Sequence, residues 1–108
     1  MLRGRRKRAR GYAVAVMVGL EAGSAVLWRV FSNVVKPDRT VQLSGARSDA
    51  RALYGFHEGV VDALRPVLRE GVRSVVLVSP PRSGYGKAFA EHVRLHHAWL
   101  WQGTGKVA

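Results

Sequence analysis

The chain has 108 residues, 47% of them hydrophobic, which is enough for one packed domain and excludes a wholly disordered chain. Lys and Arg number 18 against 7 Asp and Glu, a net charge of +11, and the absence of Cys excludes disulfide scaffolds, thiolate metal centres and thiol catalysis. Such a charge balance points to a polyanionic partner, nucleic acid first and an acidic membrane surface second.

Residues 1–11 hold six bases, Arg3, Arg5, Arg6, Lys7, Arg8 and Arg10, among glycines and without apolar periodicity. They read as a flexible basic arm, with a single domain over 12–108. The basic start followed by Tyr12–Leu20 has the outline of a signal peptide, but the basic block is long, the apolar run short, and Glu21 ends it. No apolar run reaches the roughly 18 residues of a membrane span. An intracellular, cytoplasmic protein with no membrane partner is the expectation.

Residues 12–19, rich in Val and Ala with no polar face, predict a strand covered on both sides. Glu21-Ala-Gly-Ser24 is turn chemistry, and Ala25–Phe31 alternates as a second strand, so the two form a hairpin. A third strand spans Val34–Leu43, with Pro37-Asp38 confining it to an edge or a bulge. Ser48 is the expected N-cap of a helix carrying Leu53, Phe56, Val60, Leu64 and Val67 at helical spacing. Gly55 and Gly59 fit close packing of that helix on a sheet, Pro66 predicts a kink or restart, and Gly71 ends it.

Val72–Ser79 reads as a central parallel strand. After Pro80–Gly84, residues 85–97 form a second helix with Tyr85, Phe89, Val93 and His96 or His97 in one stripe. Residues 98–102 predict a last strand that buries Trp99 and Trp101 together; the alternative is that these Trp side chains stack on bases. The order βββαβαβ gives an α/β mixed sheet with helices packed on it.

Chemistry concentrates at few places. Pro80–Gly84 lies at the carboxyl end of a buried strand and the amino end of a helix, where α/β sheets collect ligands. The N–H groups of Tyr85, Gly86 and Lys87, together with Arg82, Ser83, Gly84 and the Lys87 side chain, suit a phosphate; an ordinary self-capped crossover is the alternative. A nucleotide P-loop is disfavoured, because Pro81 stands where Gly is needed and Ala88 where Ser or Thr is needed, so an RNA phosphate is the better match. Arg39 and Arg47 extend the basic surface. His92 and His96 share a helix face, but no Glu follows His92 in the metalloprotease pattern and no third ligand is evident, so no metal is expected. The first strand, Ala13–Gly19, carries no carboxylate for a two-metal nuclease, and Ser83 has no paired base.

At Tyr54-Gly-Phe-His-Glu-Gly-Val-Val-Asp-Ala-Leu-Arg-Pro66, and again at Gly71-Val-Arg-Ser-Val-Val-Leu-Val-Ser-Pro-Pro-Arg-Ser-Gly84, the chain resembles the archaeal branch of the Vms-type release-factor-like domains. These are relatives of the middle domain of eukaryotic and archaeal class I release factors. The resemblance spans most of residues 12–102 and is most specific at Pro81–Gly84. It implies an RNase-H-like fold, a ribosomal partner through rRNA or tRNA, no cofactor, and metal-independent hydrolysis of peptidyl-tRNA in ribosome rescue. Active members use a Gln between the third strand and the first helix, which corresponds here to Gln42. The two glycines that precede it in release factors are Thr40 and Val41 in this chain, which keeps open a non-catalytic rRNA- or tRNA-binding protein.

Overall fold

A computed structural model of the chain describes residues 13–100. The arm and its six bases therefore lie outside the described residues, as do Trp101 and Gln102. Within them run β1 (Ala15–Leu20), β2 (Ser24–Val30), β3 (Val35–Gln42), α1 (Ala50–Arg69), β4 (Val75–Val78), α2 (Tyr85–His96) and a 3-10 turn at Ala98–Leu100. The fold is the expected α/β mixed sheet with two helices packed on it, in the order β3-β2-β1-β4.

β1 and β2 form the predicted antiparallel hairpin, closed by Glu21 N–H donating to the Ser24 carbonyl at 2.8 Å. β3 is the predicted edge strand. Its register with β2 slips between Leu27 and Trp28, opposite Pro37 and Asp38, as expected where proline cannot donate to the ladder. Arg29 answers that irregularity by pairing with Asp38 of β3 and with Glu70 at the end of α1.

Val16, Val18 and Leu20 of β1, Ala25 and Leu27 of β2, and Val75 of β4 face the helices and are buried. α1 adds Phe56, Val60, Val61, Ala63, Leu64 and Val67, and α2 adds Phe89 and Val93. The alternate residues Met17, Val26, Trp28 and Val76 are only half buried, and Val35 and Val78 are exposed. Both helices thus lie on one sheet face. β1, expected to be covered on both sides, is sealed on one.

Several boundaries differ from expectation. Asp49, not Ser48, caps α1, accepting from the N–H groups of Arg51 at 3.0 Å and Ala52 at 3.5 Å. Pro66 does not restart α1, which runs on through it to Arg69; in the last turn it forgoes only its own bond to the carbonyl of Asp62, one turn upstream. Gly71 follows the helix with φ +107°, the left-handed conformation glycine favours. β4 is parallel to β1 as expected but is an outer strand among the described residues; a run of valines looks alike at either position. Residues 98–100 form a 3-10 turn, not a strand, so Leu100 is buried while Trp99 is 40% exposed. No helix among the described residues is long and apolar enough to cross a membrane.

Candidate nucleic-acid interface

β1, β3 and β4 all end at one end of the sheet, because β3 returns antiparallel to β2 and β4 runs parallel to β1. That end gathers the turn after β1, the segment 43–49, the loop 79–84 and the amino ends of both helices. Leu43 N–H donates to the Gly23 carbonyl at 2.8 Å, tying the first two together. Arg47 joins these two to the amino end of α2: a guanidinium nitrogen donates to the Ala22 carbonyl at 3.2 Å, and the guanidinium carbon stands 4.2 Å from the Tyr85 ring centroid. Part of the Arg47 charge is therefore spent inside the loops.

Gln42 is the last residue of β3, exposed, and in register with Ser24. Its neighbour Val41 packs against α1, where a Cβ built on Gly59 would come within 3.0 Å of the valine methyl. Arg39 lies further back on β3, exposed and opposite Leu27. Arg82 and Lys87 are exposed beside the same end of the sheet. Arg82 holds φ +62°, an unusual conformation for a residue with a Cβ, and Gly84 caps α2 at φ +75°.

Two of the three helix N–H groups expected to be free are engaged. Tyr85 N–H donates to Ser83 Oγ and Gly86 N–H to Ser79 Oγ, both at 3.3 Å. Ser83 Oγ in turn donates to the Pro80 carbonyl at 2.7 Å. The loop caps itself with its own hydroxyls, so an anion there is left chiefly to the Arg82 and Lys87 side chains.

A second cluster lies between the helices and escaped the reading along the chain. Glu58 of α1 accepts from His92 Nε2 at 2.8 Å and from His97 Nε2 at 2.6 Å. These bonds, that from His97 foremost, hold the Glu58 carboxyl below the usual carboxylate range. His57 is buried beside them, and its Nε2 meets no partner. Burial first, then the charges of His92 and Arg47, push its pKa down to about 4. The signal missed was pairwise: Glu58 is 34 residues from His92, on another helix.

No family model matches the chain, and no curated protein matches it. Among solved structures the chain is similar to S. cerevisiae Dom34, described as a translation termination-like factor involved in RNA quality control pathways and interacting with Hbs1. The TM-score is 0.64 at 14% identity, over 92% of this chain and 29% of that one. A selenomethionine form of the same protein gives 0.60 at 16%, over 87% and 28%. The Thermoplasma acidophilum Pelota protein gives 0.63 at 13%, over 88% and 30%. The chain thus spans less than a third of the length of these proteins. The likeness is one of fold: the chain shares the fold of a part of Dom34 and of the Pelota protein.

Proposed function

We propose that the chain is a ribosome-associated, release-factor-like RNA-binding protein that acts on peptidyl-tRNA in ribosome rescue, in the cytoplasm. The observation that carries this reading is the convergence of exposed Gln42, Arg82 and Lys87 at one end of the sheet. The likeness to translation termination-like factors supports it at the level of fold. Placement in the Vms-type group rests on the Pro81–Gly84 turn and the strand before it.

In this reading Arg82 and Lys87 hold the tRNA backbone by charge, which positions the substrate without reading its sequence. The Gln42 amide orients a water toward the ester carbonyl. Water adds to that carbonyl, the 3′ oxygen of the tRNA leaves with a proton, and the peptide is freed as an acid. No metal or cofactor enters. A second reading, RNA binding without hydrolysis, is favoured by the register of Gln42 with Ser24 and the packing of Val41 on α1. A residue held in a sheet ladder moves less freely than one preceded by two glycines.

Co-sedimentation with ribosomes and release of labelled peptide from peptidyl-tRNA test both readings. For the hydrolase, Gln42→Ala lowers the release rate on the order of 10²–10³-fold and leaves ribosome binding unchanged. Glycines at Thr40 and Val41 raise the rate if this is a stiffened catalytic loop, and only destabilise β3 otherwise. Binding without release selects the second reading. Failure to sediment with ribosomes overturns both.

A further inference from the structure

All four histidines of the chain gather around one of them. The ring centroids of His57, His96 and His97 lie 5.2, 4.9 and 5.6 Å from that of His92, and the Tyr54 ring lies at 5.0 Å. Two of these rings aim Nε2 at a single oxygen, Glu58 Oε2. The three donor atoms of Glu58, His92 and His97 all lie within 4.8 Å of one another. We propose that Glu58, His92 and His97 form a binding site for a zinc-class divalent cation that clamps α1 to the carboxyl end of α2.

The donor set is of the right kind. Two imidazoles and one carboxylate bind Zn²⁺ at about 2.0–2.2 Å, which places ligand atoms roughly 3.3 Å apart around a tetrahedral ion. The nitrogen–oxygen separations here, 2.8 and 2.6 Å, are hydrogen bonds somewhat shorter than that spacing. A modest swing of the Glu58 carboxylate opens them to it. The imidazoles are held by packing, with side-chain exposures of 6% for His92 and 12% for His97, while Glu58 at 30% gives the ion its entrance and a fourth position for water. His96 touches the ring of His92 but is exposed and makes no bond to Glu58, so it stands outside the set.

One bond must yield. Trp99 Nε1–H donates to His97 Nδ1 at 3.3 Å, which fixes the proton of His97 on Nε2. An ion on Nε2 moves that proton to Nδ1, with no net proton released from the neutral ring, and the Trp99 bond is lost. That bond is long and exposed, weak beside a metal–imidazole bond. Trp99 therefore becomes a reporter of the site.

The test uses untagged full-length protein stripped with chelator. Titration calorimetry with Zn²⁺ should show one saturable ion per chain. Co²⁺ should give the visible absorption of a tetrahedral centre, and Trp fluorescence should change with the same stoichiometry, a change absent in Trp99→Phe. Glu58→Gln keeps an acceptor for both histidines and should weaken binding at least 10-fold; His97→Ala should do the same by an independent route. His96→Ala should bind as wild type. Failure to bind saturably overturns the proposal. So does binding that survives Glu58→Gln and His97→Ala but is lost in His96→Ala, since the ion would then sit on the exposed His92–His96 pair.

Discussion

His57 sits 4% exposed between Phe56, Phe89 and His92, with Nε2 unpartnered. Its pKa falls from 6.5 to about 4 in the folded chain. Above pH 6.5 the ring is neutral in both states, and its contribution to stability is fully present. As pH falls from 6.5 toward 4 the unfolded chain takes up a proton that the folded chain refuses, so stability is lost across that window, by up to about 3 kcal/mol. Urea unfolding in chelator at pH 7, 5.5 and 4 should show this loss in wild type and a flatter profile in His57→Leu. Parallel profiles would remove His57 as the cause. Arg82 poses the opposite question at the surface. Its φ of +62° costs a residue with a Cβ roughly 1–2 kcal/mol, whereas glycine adopts it without strain. Arg82→Gly should melt no lower than wild type and yet bind RNA less tightly. A variant that melts lower would make Arg82 a structural residue.

At the scale of elements, α1 offers two paired tests. Asp49→Ala removes a cap that accepts from two N–H groups and should lower stability by about 1 kcal/mol, while Ser48→Ala should stay within about 0.5 kcal/mol. Gly55→Ala enters open space and should gain about 0.5–1 kcal/mol of helix propensity; Gly59→Ala meets the Val41 methyl at 3.0 Å and should lose stability. Chemical denaturation of the four variants decides each. Of the two glycines expected to pack closely on the sheet only Gly59 does, since Gly55 is exposed to open space; the buried face of α1 was legible in the recurrence of Phe56, Val60, Leu64 and Val67, because periods of 3.6 and 2 are local properties of a chain. What was not local was not legible. Ser48 and Asp49 cap equally well by residue type, and only the entry angle of the chain chooses between them. The alternation of Trp99, Leu100 and Trp101 fits a strand as well as a tight turn. The Glu58 cluster required knowing that α1 and α2 lie side by side, which no spacing along either helix contains. The convergence of Gln42, Arg82 and Lys87 was readable in part, since crossover rules bring parallel strand ends together.

Over the whole molecule, charge is unevenly divided. Residues 1–10 hold six of the 18 bases, and the remaining chain is still net +5. Among the described residues the core runs from Val16 to Leu100, and residues 1–10 carry no apolar periodicity, so their removal should leave the circular dichroism spectrum unchanged. RNA affinity should separate the two sources of charge. Each phosphate contact on a single strand contributes roughly 0.7 to the slope of log affinity against log salt. Deleting the arm should therefore lower that slope by about 4 if all six bases sit on phosphates, and by proportionately less if fewer do. Arg82→Gly should lower it by about 0.7 in the full chain and again in the shortened one, because the loop after β4 and the arm would contact different phosphates. The shortened chain should still bind RNA, weakly and with a residual slope, through the end of the sheet that carries Arg82 and Lys87. A slope unchanged by deletion would mean that the arm makes no phosphate contact. A slope that vanishes on deletion would mean that the arm alone binds RNA, and the surface around Gln42 would lose its part in the proposed function.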